Sequence, residues 1–398
     1  MEENIINAGA DFADALALLR DQSSFGMTPF VGNGLSLRAV IDSIQAERTY
    51  DPNHWQRMQQ SLEEALALQD DLPLSSSLYR GMPGIAWAIQ LCPPLLEKAT
   101  SAQLLTELDE ILVEGIVDAR NPNLDLINGI AGIMIYAMRR NNFSGSSKVL
   151  WDSIESICVR SVREWLGLVP SKLEMHGTVF QNNLGVAHGM PGLLTVMVSA
   201  FRNGRISREA AALAIDGFEH LWTHSIKDEN GYRLFPGTVG SSHSTRLAWC
   251  YGALGLVDAY INASSLEQAN ASRASDLVRG ALHQLNSGRH RIMDASLCHG
   301  WAGAHFYFDV FSRFANFGED LQYRCKSASA LAGDEINHLN VGTASAPSYL
   351  RYSSGKTFKD SSFLSGTSGV LMAQATVASG AERTSWVELL GSFQPNGC

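Results

Sequence analysis

A short motif, Gly-x-x-Gly followed by apolar residues, recurs six times in this chain and constrains its fold more than any other feature. It reads RGMPGIAW at 80–87, NGIAGIMIY at 128–136 and HGMPGLLTV at 188–196. It returns as YGALGLV at 251–257, HGWAGAHF at 299–306 and SGTSGVLM at 365–372. The first glycines, Gly81, Gly129, Gly189, Gly252, Gly300 and Gly366, stand 48 to 66 residues apart. A pattern of this period marks a repeat architecture, in which each copy is one supersecondary unit that buries its apolar face against its neighbours.

Each copy begins as a loop and continues as an apolar run. The segments between copies carry stripes of helical period. Leu104, Leu108, Ile111, Leu112 and Ile116 form one stripe, and Leu150, Ile154, Ile157, Val162 and Trp165 another. Period-2 alternation is scarce. Glycines three residues apart share a helix face and permit close backbone approach. The unit is therefore an amphipathic helix, a connection, and a glycine-started helix that is buried more completely. The chain is predicted to be all-α.

Helix pairs of this kind form an open solenoid or close into a ring. The small number of repeats, the apolar character of the glycine-started runs and the lack of a polar capping repeat favour closure. The expected fold is a closed α/α toroid of about six or seven helix pairs. The first 70 residues lack the motif but have a helical pattern over 56–69 (QRMQQSLEEALALQ), which is expected to complete a seventh pair. No Pro- or Ser-rich linker divides the chain, so residues 1–398 are read as one domain.

With 45% hydrophobic and 18% charged residues, the chain is globular rather than disordered. Its net charge of −10 argues against nucleic acid as a partner, because such binders carry basic patches. The apolar runs, such as 129–138, are too short to insert in a bilayer, and the first residues do not read as a secretory signal. A cytoplasmic location is expected, where the six cysteines stay reduced and serve packing, metal binding or nucleophilic chemistry.

The chemistry emerges when the copies are aligned on their glycines. The residue before the first glycine is Arg80, Asn128, His188, Tyr251, His299 or Ser365. Cys250 and Cys298 each lie two before theirs, whereas Cys92 and Cys158 sit in apolar stretches and read as core residues. In a closed ring, equivalent positions meet at one end of the central cavity. Cys250, Cys298, His299 and His188 are thereby brought together. Two thiolates and an imidazole suit zinc, and three protein donors leave a fourth tetrahedral position open. The competing reading is two core cysteines and a capping histidine. Asp125, four before its glycine, and Arg246, six before its own, flank the same positions. His220 and His224 share a helix face without the glutamate of a zinc-hydrolase motif and are expected to pack or be solvated, and His176, His243 and His305 read as satisfied side chains.

The set WCYG at 249–252, CHG at 298–300 and AHG at 187–189, on this repeat background, resembles the lanthionine synthetase C-like family. The likeness covers roughly 77–372, and FLSGTSGV and TSWVELL resemble the family's ending. The resemblance implies an α/α toroid with zinc at one end of its cavity, held by Cys250, Cys298 and His299. It implies an acid/base at His188 and catalytic roles for Asp125, Arg246 and Tyr251. The implied reaction is addition of peptide cysteine thiols to dehydroalanine or dehydrobutyrine, giving lanthionine and methyllanthionine rings. The implied partners are a dehydrated precursor peptide, with a dehydratase and a transporter at the membrane. Two alternatives keep the same scaffold: addition of glutathione or another small thiol to dehydroamino acids in proteins, and a non-catalytic peptide-binding toroid.

Overall fold

The structure, a computed structural model, describes residues 28–392 apart from 50, 69–74, 93–94, 96, 119–121, 141–142, 170–179, 344–346 and 381–383. His176 and Cys398 therefore lie outside the described residues, as do the first 27 positions.

Helices dominate, and they alternate in character along the chain. The odd-numbered set is α1 (Leu35–Thr49), α3 (Met82–Ile89), α5 (Ile130–Met138), α7 (Met190–Arg202), α9 (Ala253–Ala263), α11 (Trp301–Ser312) and α13 (Thr367–Ser379). The even-numbered set is α2 (Pro52–Ala67), α4 (Ala99–Asp118), α6 (Ser146–Trp165), α8 (Arg208–Thr223), α10 (Ala269–Asn286) and α12 (Glu319–His338). Every residue of α5 is buried, and so are the first eleven of α7. In α6 and α8, by contrast, burial follows one stripe: Leu150, Ile154 and Ile157 in the first, Leu213, Ala214 and Leu221 in the second. A helix apolar all round must be enclosed by others, whereas an amphipathic one covers them from outside. Each odd helix packs on the next odd helix, from α1 through to α13.

Ile111 is the one member of the expected α4 stripe that stands substantially in solvent, at 41% exposure. Two antiparallel hairpins complete the described structure: β1 (Ile226–Lys227) with β2 (Arg233–Leu234), and β3 (Leu350–Ser353) with β4 (Lys356–Lys359).

The motif glycines are the N-caps of α3, α5, α7, α9, α11 and α13. At each start the chain doubles back tightly. The N–H of Ile130 donates to Asn123 O at 2.9 Å, Trp301 N–H to Asp294 O at 3.0 Å, and Thr367 N–H to Asp360 O at 2.9 Å. A Cβ on Gly252, which has φ of 150°, would collide with the carbonyl of Arg246, so only glycine fits there.

Residues 28–49 hold a seventh start that the sequence pattern does not reveal. Leu35 N–H donates to Thr28 O at 2.8 Å, and a Cβ on Gly34 would strike the same carbonyl. Gly34 thus fills the place of the first glycine, while Leu37 stands where the others have the second. The α1–α2 pair is the expected seventh pair, with α2 starting four residues before the helical pattern at 56–69.

Backbone hydrogen bonds join the loops before the odd helices in succession. Gly32 N–H donates to Tyr79 O, Leu78 to Ile127, Leu126 to Ala187, Ala187 to Cys250, Trp249 to Cys298 and Cys298 to Leu364. Phe363 N–H then donates to Gly32 O at 2.8 Å, linking the last loop to the first.

The C-terminal 3-10 turn, Ser385–Leu390, packs among the buried helices. Glu388 accepts from Arg139 Nε and Nη2, both at 2.7 Å, and from Trp87 Nε1 at 3.0 Å. Trp249 Nε1 donates to Leu390 O at 3.0 Å, and the Trp386 ring lies 5.0 Å from Phe306.

Candidate metal centre

The loop ladder sets the site. Because Ala187 bonds Cys250 and Trp249 bonds Cys298, the loops before α7, α9 and α11 lie side by side, and Leu126 brings the loop before α5 alongside them. The Sγ atoms of Cys250 and Cys298 and a ring nitrogen of His299 all lie within 4.8 Å of one another. They come from positions just before Gly252 and Gly300, in the alignment that the repeats imply. Among the described residues no other group of three or more His, Cys, Asp or Glu side chains has metal-binding geometry.

The two thiols shift each other in opposite directions. The neighbouring Cys298 thiol holds Cys250 well below the usual thiol range, with His299 and Arg246 adding to the effect against the cost of burial. The Cys250 sulfur, burial and the charge on Cys250 push Cys298 up. Soft thiolate and imidazole donors fit zinc, and a three-donor set has the form of an open rather than a structurally closed site.

Behind His299, Asp294 Oδ2 lies 3.8 Å from Nε2 and accepts the Tyr352 N–H at 2.9 Å, while Oδ1 accepts from Ser296. At that distance the carboxylate faces the His299 ring without a hydrogen bond to it. The glycine-aligned sequence pattern does not single out Asp294.

His188 and Asp125 meet across neighbouring loops, Nδ1 to Oδ2, at 3.1 Å. The Asp125 hydrogen bond raises the His188 pKa above its ordinary 6.5, opposed by burial and helped by the charges of Asp125 and Cys250. His188 remains 40% exposed at its side chain, so it can reach a bound substrate. Its ring centroid is 6.2 Å from that of Tyr251, whose hydroxyl accepts from Asn183 Nδ2 at 2.7 Å. Asn183 is a second residue that the sequence pattern does not mark.

Arg246 is the exception in a regular series. Six residues before the first glycine stand Ser75, Asn123, Asn183, Arg246, Asp294 and Asp360. Five of these six accept from the N–H two residues on, closing a small turn at each loop: Ser75, Asn123, Asn183, Asp294 and Asp360. Arg246 cannot accept, and its charge instead acts on Cys250 and Cys298. That series is readable in the sequence, and aligning the copies six residues upstream would have exposed both Asp294 and the exception.

The remaining candidates fall outside the cluster. Cys92, Cys158 and Cys325 are buried, and burial pushes the thiols of Cys158 and Cys325 up to about 12. His220 and His224 face each other, Nε2 to Nε2, at 3.4 Å and pack against Trp165. His305 Nδ1 lies 2.8 Å from Ser329 O, and His243 is exposed.

The lanthionine synthetase C-like protein family model matches residues 43–390. No match was found among curated proteins. Among solved structures the chain is similar to nisin cyclase, with a TM-score of 0.69, 18% sequence identity and 97% coverage of each chain. At that identity the likeness establishes the fold. Family match, fold and repeat pattern agree: the chain belongs to the lanthionine synthetase C-like family.

Proposed function

We propose that this protein is a zinc-dependent lanthipeptide cyclase, which adds cysteine thiols of a dehydrated precursor peptide to its dehydroalanine and dehydrobutyrine residues. The observation that carries the reading is the meeting of Cys250, Cys298 and His299 on loops that also bear the His188–Asp125 pair. Family membership and the likeness to a protein named nisin cyclase support it.

The helix pairs close into an α/α toroid as one domain, a reading supported by the Phe363 bond back to Gly32 and by one apolar core running from Val31 to Leu390. No described helix is long and apolar enough to cross a membrane. The protein acts in the cytoplasm, with a dehydratase and a transporter as partners in the same assembly.

Cys250, Cys298 and His299 would hold the zinc, which lowers the pKa of a substrate thiol and keeps it ionised at neutral pH. The other residues manage protons and charge. The substrate thiol loses its proton, and its sulfur bonds the β-carbon of the dehydroamino acid. The displaced π pair moves onto the carbonyl oxygen as an enolate. His188, held by Asp125, donates the proton that the α-carbon needs and accepts the one released by the thiol. Arg246 stabilises the enolate oxygen, and Tyr251, fixed by Asn183, stands beside His188. Asp294 places a carboxylate beside His299.

Incubation of the zinc-loaded protein with a dehydrated peptide containing cysteine tests this reading. Ring closure leaves the peptide mass unchanged and removes one alkylatable thiol per ring. A dehydrated peptide without cysteine, offered with glutathione, would gain the mass of the thiol if the small-thiol alternative held. Failure of both reactions would leave a non-catalytic peptide-binding role.

A further inference from the structure

The β3–β4 hairpin has one edge tied to the metal centre and the other open. Its turn, Ser354–Gly355, has φ of 50° and 79°, the two-residue form whose twist suits a tight hairpin. The register pairs Ser353 with Lys356, Tyr352 with Thr357, Arg351 with Phe358 and Leu350 with Lys359. The pair next to the turn exchanges its hydrogen bonds inward, and inward and outward pairs alternate from there. Tyr352 therefore directs its N–H away from β4, and that N–H is the one held by Asp294, 3.8 Å behind His299. On the opposite edge Thr357 and Lys359 direct their N–H and C=O outward.

That edge is exposed along its whole length. Main-chain groups lined up this way are a template for another strand. The side chains give it a charge preference. Lys356 and Lys359 form no ion pair among the described residues, whereas Arg351, 5.8 Å from the Phe358 ring, is paired with Asp360 at 3.5 Å. These two lysines stand on a chain whose net charge is −10.

We propose that β4 is a docking edge for an extended acidic segment of the peptide substrate, which adds as a third strand. The main chain of Thr357 and Lys359 pairs with it, Lys359 meets its carboxylates on one face of the strand, and the exposed Phe358 covers an apolar side chain on the other. The proposal deepens the cyclase reading and rests on it for the identity of the peptide. A strand seated there lies two strand spacings, about 10 Å, from β3. The rest of the peptide is thus tethered close to the candidate metal centre, at a raised effective concentration.

The test is fluorescence anisotropy on the full chain, with fluorescein-labelled peptides of alternating Glu and Val or alternating Lys and Val. The Glu–Val peptide is expected to bind and the Lys–Val peptide not to. Thr357→Pro deletes one outward N–H without deleting a hairpin bond, a placement that edge strands tolerate. It is expected to weaken Glu–Val binding at least tenfold, as is the double change Lys356→Glu with Lys359→Glu. Absence of Glu–Val binding, or equal binding of both peptides, would overturn the proposal. So would loss in the charge-reversed variant with full retention in Thr357→Pro, which would mean a charge patch and no added strand. Cys298→Ala separates the two readings. If that variant and the wild type hold no zinc but bind the peptide, the cyclase reading fails and the docking edge stands. If the wild type holds zinc but does not bind the peptide, the docking edge fails and the cyclase reading stands.

Discussion

His188 and Asp125 join two loops whose bonded residues are 63 apart in sequence, through a 3.1 Å contact from Nδ1 to Oδ2. The contact leaves Nε2 as the nitrogen available to a substrate. His188→Ala is expected to slow ring closure by about 100-fold or more, in the range typical of a lost acid/base group. Zinc content should stay at the wild-type level, because His188 is not one of the three clustered donors. Loss of zinc in this variant, measured by elemental analysis, would make His188 a ligand instead.

The same bond gives a pH dependence. It raises the His188 pKa, so the imidazolium that serves as acid is present below the raised value and lost as pH rises through it. The pair's contribution to stability has the same sign: it is full below 6.5 and disappears above the raised pKa. Asp125→Asn should move the alkaline limb of the rate profile to lower pH. An unmoved limb would mean that another group sets it.

Arg246 occupies a position where five other loops carry a turn-closing Ser, Asn or Asp. Arg246→Asn restores that chemistry. The variant should melt at or above the wild-type temperature while losing about 100-fold in rate, the usual scale for a lost charge-stabilising donor. A lower melting temperature with normal activity would show that the arginine serves the fold.

Asp258, buried on α9 and accepting from Ser392 Oγ at 3.1 Å, is raised by burial to about 7 from an ordinary 3.8. The folded state therefore holds this proton more tightly than the unfolded one. Stability falls as pH climbs between those two values and levels off above them. Asp258→Asn removes the charge and should be more stable than wild type at pH 8, by on the order of 4 kcal/mol. Near pH 4 the two should match. Denaturant melts at both pH values measure this.

How much of the molecule is legible in its sequence depends on what each feature rests on. The six glycines announce themselves because a carbonyl approaches each so closely that no side chain fits. Cys250, Cys298 and His299 share motif register, so alignment of the repeats alone brings them together. The seventh start stays hidden because Leu37 replaces its second glycine, leaving only Gly34 to mark it. Asp294 and Asn183 escape notice for another reason. Their side chains close local turns with one oxygen, while a second polar atom of Asn183 bonds Tyr251 and that of Asp294 faces His299, and only the second role depends on tertiary packing. The grip of Glu388 on Arg139 and Trp87 is unreadable too, since it spans 249 and 301 residues.

Zinc content bears most directly on the assignment of Cys250, Cys298 and His299, measured by elemental analysis of the purified protein and of Cys298→Ala. One zinc per chain is expected in the wild type and almost none in the variant. Wild-type protein that neither contains zinc nor takes it up when supplied would contradict the assignment, and so would a Cys298→Ala variant that keeps its metal.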